Sequence, residues 1–263
     1  MQLAARTIEA EVLSVDASSY KAELRELGNI PEKTLTARMS PGDIALNWSG
    51  QRIRGELVGG EAAFMERIWP ADPLKIKQAE GINRQLRRNT VERGRRVFRT
   101  NGEYMPPFAL YNQSGALITH EHLKGKYTVL NFIFTRCQVA TMCPAATTRM
   151  VRLQNDLADA GLEEKVRQVT ITFDPQYDTP GILRGYGDAR GIDPARFHLL
   201  TGDPQAIRDL CAQFGVQVKD VNKTLDHTMS TVLLDPNNKI RYRKTGSRWR
   251  SEDFLEFIQA MEN

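Results

Sequence analysis

Two of the chain's three cysteines, Cys137 and Cys143, stand in the stretch FIFTRCQVATMCPAATTRM, residues 132–150. Thiols this close can form a redox dithiol, offer two ligands to a soft metal, or pack as small hydrophobes. Five residues separate them, enough for a loop to bring the sulfurs to disulfide distance, about 2 Å. Pro144 follows at once and suits the first turn of a helix, where its missing N–H costs little. A helix opening there turns its positive end toward the thiols and favours the thiolate, the form that attacks disulfides and binds metals. Met142, inside the loop, reads as a gap-filling thioether, and Cys211, in IRDLCAQFGV, as a buried hydrophobe. The histidines are His120, His122, His198 and His227.

The elements that must position these groups are legible in the periodicity. TIEAEVLSVD alternates apolar and polar residues as a strand does. SPGDIALNW and QRIRGELVG read as two short strands around Ser49–Gly50. These signals predict a small all-β, barrel-like domain over 1–64. The prolines of IWPADPLKIKQ open a basic, partly helical linker over 65–100. From 101 to 263 the pattern changes. A hairpin turns at Ser114–Gly115, and YTVLNFIFT is a strand buried on both faces. A helix follows to Gly161, then the buried strand VRQVTITFD and further strands and helices. A hairpin turning at Pro236, Asn237 and Asn238 precedes a last helix capped by Ser251. This order predicts an α/β domain with a mixed central sheet. The cysteines fall at the carboxyl end of its first central strand, where such sheets gather reactive groups.

Composition narrows the function classes. The net charge is +4, yet residues 75–99 hold nine Lys or Arg against two Asp or Glu, so +7, leaving about −3 elsewhere. That segment reads as a solvated basic helix or linker, with docking on an anionic membrane surface or an acidic partner as the sharper reading. No aromatic stacking platform interleaves the charges, which argues against nucleic acid. No run approaches the roughly 18 apolar residues of a membrane span, and no basic-then-apolar leader is visible. Three cysteines are too few for a disulfide-stapled scaffold.

The pieces FIFTRC, CPAATTRM, ITFDPQYDTP and LDHTMSTVLLDP, in this order, resemble the Sco/SenC family over residues 101–263. The resemblance implies a thioredoxin-like fold and a part in assembling the copper site of cytochrome c oxidase. It implies copper ligands at Cys137, Cys143 and His227, with Asp174 as the acidic residue after the second central strand and Pro144 in support. It also implies a periplasmic location, free or membrane-anchored, and an oxidase subunit or another copper or thiol protein as partner. Two thiolates and an imidazole suit Cu(I), and the same pair can close to a disulfide when metal is absent. One departure stands out. The family pattern is C-x-x-x-C-P, whereas CQVATMCP is two residues longer. SPGDIALNWSGQRIRGELV weakly resembles CusF-like copper-binding barrels, whose sites use His, Met and Trp. This segment has no histidine, and Met39 and Trp48 stand outside any clear motif, so a barrel without a copper site is expected, with docking as its role. The alternatives are a general thiol–disulfide or peroxiredoxin-like enzyme with Cys137 as nucleophile and Cys143 as resolving thiol, and a non-enzymatic interaction module.

Overall fold

The N-terminal alternation of apolar and polar residues closes on itself. The computed structural model describes residues 5–28, 30–60, 63–94, 97–221, 224–246 and 248–262, with 219–221 and 224–227 described by backbone alone. Strands β1 (Ala5–Asp16), β2 (Lys21–Glu26) and β3 (Lys33–Arg38), helix α1 (Pro41–Ala45), and strands β4 (Arg52–Val58) and β5 (Phe64–Pro70) come first. The five strands form a closed barrel in the order β1-β2-β3-β5-β4. Ile8, Ala10, Val12, Leu24, Ile53 and Met65 point inward and fill it, as expected of a barrel this small. Met39 and Trp48 are also spent on this core, at 2% and 0% exposure.

Two segments differ from the sequence reading. PGDIA, expected in a strand, is α1: Ser40 caps it by accepting from Asp43 N at 3.1 Å, and Pro41 supplies the preset first turn. Phe64–Pro70, assigned above to the head of the linker, is the fifth barrel strand. Its two-residue period slips at an irregularity in the β4 pairing, where Arg67 takes a φ of 53°.

The basic segment is a long helix, α2 (Pro73–Arg93), capped by Asp72. It is docked rather than free. Leu86 is fully buried, and Asn83 exchanges two hydrogen bonds with the Ala109 backbone, at 2.9 and 3.0 Å. Beyond it come β6 (Ala109–Asn112), β7 (Leu117–Thr119), β8 (Tyr127–Ile133), α3 (Cys143–Asp159), β9 (Val166–Thr172), α4 (Pro180–Asp188), β10 (Phe197–Thr201) and α5 (Pro204–Phe214). A small hairpin, β11 (Val218–Val221) and β12 (Thr224–His227), precedes β13 (Ser230–Leu234), β14 (Ile240–Thr245) and α6 (Ser251–Glu262). The sheet order is β14-β13-β8-β9-β10-β6-β7. β8, β9 and β10 run parallel, and the flanking pairs are antiparallel, so the sheet is mixed. Every residue of β8 is buried, which explains its nearly continuous apolar run.

The barrel meets the α/β portion through glycines. A Cβ on Gly42 of α1 would stand 2.0 Å from the Gly181 carbonyl oxygen of α4, and one on Gly181 would stand 2.1 Å from Asp43 Oδ1. Nearby, a Cβ on Gly115, at φ +71°, would stand 2.7 Å from the Trp48 ring. Only hydrogen fits at these positions. Asp43 is 4% exposed; Ser40 Oγ reaches its Oδ2 at 2.6 Å, while Oδ1 has no hydrogen-bond partner among the described residues. Burial pushes its pKa up to about 6.

Two measurements check this packing. Leu86→Ala should cost about 2–5 kcal/mol in denaturant unfolding, whereas Leu74→Ala on the exposed face should stay within about 0.5 kcal/mol. Asp43 binds its proton more tightly folded than unfolded, so its contribution to stability falls as pH rises from about 4 to about 6. Relative to Asp43→Asn, the natural chain should therefore lose about 2.5 kcal/mol between pH 4 and pH 7. A constant difference across that range would show the carboxylate to be solvated.

Candidate dithiol site

The site lies where β8 and β9 end. Their register pairs Ile133 with Thr172, so the segments after both strands leave the sheet side by side. After β8 the chain folds through two turns, closed by Cys137 N to Phe134 O at 3.4 Å and Met142 N to Val139 O at 2.9 Å. These turns carry Cys137 back toward Cys143, the first residue of α3, so that the two thiols interact directly. Pro144 occupies the first turn of α3. The buried face of α3, Cys143, Ala146, Thr147, Met150, Leu153 and Leu157, follows helical spacing and seats Cys143 on the sheet.

The two thiols differ in environment. Cys143 is 0% exposed, whereas Cys137 is only partly covered and packs at the core's edge. The helix start was expected to lower the thiol pKa. For Cys143 the structure gives the reverse: burial drives its pKa well up, and the Cys137 thiol and the Asp178 carboxylate add to the rise. A hydrogen bond with the Phe134 backbone offsets only part of this. Desolvation of the thiolate outweighs the helix end here. Cys211 is a core residue of α5, as expected, with its pKa raised to about 12 by burial.

Carboxylates and hydroxyls brace the loop. Asp174 is 9% exposed and takes a hydrogen bond from Arg136 Nε at 3.0 Å. The Arg136 guanidinium lies 4.4 Å from the Tyr177 ring centroid. Asp178 is 0% exposed and accepts from Thr135 N at 3.2 Å and from the hydroxyls of Thr135 and Thr172. Burial raises its pKa, and these donors pull the other way. Tyr186 Oη lies 2.8 Å from Thr147 Oγ1, which donates to the Cys143 carbonyl at 3.1 Å.

Of the residues singled out in the sequence, Cys137, Cys143, Pro144 and Asp174 come together here. The His227 side chain lies outside the described residues. Its backbone ends β12, three residues before β13 begins at Ser230. Because β13 runs antiparallel to β8, that start lies at β8's carboxyl end, on the cysteines' side of the sheet. Among the described residues no group of three His, Cys, Asp or Glu is placed to hold a metal ion. Asp178, Thr135, Arg136 and Tyr186 were missed. A second acid four residues after Asp174, just ahead of a Thr-Pro helix start, was the available signal for Asp178.

Exposure orders the reactivity of the thiols. In peptide mapping after iodoacetamide at pH 8, Cys137 should be modified at least about tenfold faster than Cys143, with Cys211 as slow or slower. Equal rates for Cys137 and Cys143 would contradict the burial described above.

A family profile described as SCO1/SenC matches residues 98–261, a span that holds both site cysteines, Asp174 and His227 and begins beyond the barrel and α2. A SCO2-like protein of Rickettsia conorii is 31% identical over 150 residues, covering 54% of this chain and 70% of that protein. The SCO1 protein homolog of Bacillus subtilis is 30% identical over 138 residues, covering 51% of this chain and 69% of that protein. Among solved structures, a SCO1/SenC family lipoprotein from Bacillus anthracis is 28% identical, with a TM-score of 0.56, covering 63% of this chain and 99% of that one. BsSco, described with a disulfide switch and as a member of the Sco family of cytochrome c oxidase assembly proteins, is 25% identical, with a TM-score of 0.54, covering 62% of this chain and 95% of that one. The profile takes in well over half of the residues, through the dithiol and its bracing acids, and the chain belongs to the SCO1/SenC family.

Proposed function

We propose that the chain is a copper metallochaperone with an exchangeable dithiol, serving assembly of the copper site of cytochrome c oxidase, with Cys137, Cys143 and His227 as ligands. The observation that carries this reading is the pair of adjacent thiols at the end of β8 in a Sco-family chain. Relatives lend support: a protein of Stutzerimonas stutzeri named as a candidate copper-binding protein is 30% identical over 142 residues. Two thiolates provide soft charged donors for Cu(I), and a neutral imidazole completes a three-coordinate site. Copper is cargo here. Loading displaces one proton from each thiol, so uptake strengthens as pH rises. Asp174 and Pro144 act in support, one bracing Arg136 beside the loop and the other starting α3.

The empty dithiol can pass electrons instead. Cys137, the more exposed sulfur, attacks a partner's disulfide as thiolate and expels one partner sulfur. Cys143 then attacks the Cys137 sulfur of the mixed disulfide and releases the second partner sulfur. Two electrons and two protons pass to the partner, leaving Cys137 and Cys143 as a disulfide. Bound copper occupies the same sulfurs, so the two activities exclude each other. Exchange without copper is the second reading; the two residues added to the family loop bear on metal geometry more than on sulfur contact. The copper reading places the chain outside the cytoplasm, on the periplasmic side. No described helix is long and apolar enough to cross a membrane. The exposed Lys77, Arg84 and Arg88 of α2 are the residues through which an anionic membrane surface would be met.

Cu(I) titration of the reduced chain against a competing chelator tests the reading. Uptake of about one Cu(I) per chain is expected, abolished by Cys137→Ser or Cys143→Ser. His227→Ala should weaken it at least about tenfold while leaving disulfide formation intact. A reduced chain that ignores Cu(I) sinks the metallochaperone and leaves thiol exchange standing.

A further inference from the structure

We infer that the barrel positions the dithiol through α4, with Gly42 and Tyr186 as positioning residues. The inference rests on the reading that Cys137 and Cys143 are the working groups. The barrel lies outside the span matched by the family profile, and its Met39 and Trp48 are buried in its own core. What it does offer is a close contact with α4. Besides meeting the Gly181 carbonyl, a Cβ on Gly42 would come within 3.2 Å of Gly185 N, so α1 and α4 touch backbone to backbone. A contact of this kind transmits displacement, because at Gly42 no side chain lies between the two backbones, and the Asp43 carboxylate packed on Gly181 is itself buried.

From α4, two bonded routes reach the thiol loop. The segment that opens the helix carries Asp178, which holds the backbone N–H and hydroxyl of Thr135, two residues before Cys137. One turn and a half into the helix, Tyr186 holds Thr147, whose hydroxyl holds the Cys143 carbonyl. The helix thus grips the loop near both sulfurs, while the barrel grips the helix at Gly181 and Gly185. Moving α4 moves the start and the end of the loop together and resets the cover over each thiol. The barrel's contribution is therefore the spacing and shielding of the two cysteines rather than a ligand.

The test is thiol alkylation by iodoacetamide, followed for Cys137 and Cys143 separately in the full chain, with barrel docking read in parallel by small-angle scattering. Gly42→Val should separate the barrel from α4 and change the ratio of the two rates by about 3- to 30-fold. Tyr186→Phe should leave the barrel docked and shift the same ratio in the same range. Gly60→Val, where a Cβ meets nothing within 4 Å, should alter neither readout. A barrel freed by Gly42→Val with an unchanged ratio overturns the proposal, and so does a barrel that stays docked. If Gly42→Val fails to fold, Tyr186→Phe decides: an unchanged ratio there is equally fatal. The readout needs no copper, so a chain that alkylates as expected yet binds no Cu(I) refutes the metallochaperone and spares this inference.

Discussion

A carboxylate with no exposed surface holds the working end of the sheet together. Asp178 belongs to the segment leaving β9, yet two of the three bonds its carboxylate accepts run to Thr135, on the segment leaving β8. Burying such a group is costly unless donors surround it. Three donors meet it here, from Thr135 twice and Thr172 once. Hydrogen bonds to a charged group contribute about 1.5–3 kcal/mol each, enough to offset much of the burial. The thiol loop therefore starts from a fixed point. Its turns, the placement of Cys137 beside Cys143, and the grip of α4 all follow from that anchor.

The pair of thiols then divides by depth. Both sit near the start of α3, whose positive end favours the thiolate. That effect is worth about 1 kcal/mol or less at an exposed end. Complete burial of Cys143 works against it and wins, while Cys137 stays within reach of a partner. Asymmetry of this sort gives the two sulfurs an order of action. In the exchange proposed above, the outer one would meet the incoming molecule and the inner one would close the exchange.

Much of this was legible in the chain. β8 announced itself because a strand buried on both faces is nearly continuous in apolar residues, β9 because its β-branched residues Val166, Val169, Thr170, Ile171 and Thr172 mark a strand, and α3 because a proline follows a loop and a helical stripe follows the proline. The dithiol's position at the sheet's carboxyl end followed from those elements. The two segments that differ share one cause: a local signal overrides the periodicity. Ser40 and Pro41 turn PGDIA into a helix, and the irregularity at Arg67 conceals the two-residue period of β5. The short strands β11 and β12 pair with each other outside the large sheet, and four residues apiece leave little periodicity to read. Asp178 escaped notice because its partners, Thr135 and Thr172, come from two strand ends brought together only by the fold. The depth of Cys143 is likewise a property of packing rather than of spacing.

The order of the large sheet has a consequence for crowded surroundings. Its outermost strands are β7 and β14. The first is three residues long, too short a template for another chain to extend. The second, IRYRKT, carries three basic residues that repel an identical strand approaching edge to edge. The barrel closes where β3 meets β5, at Arg38 and Phe64. Neither end of the large sheet therefore offers a long, flat, apolar edge along which copies of the chain could zip together.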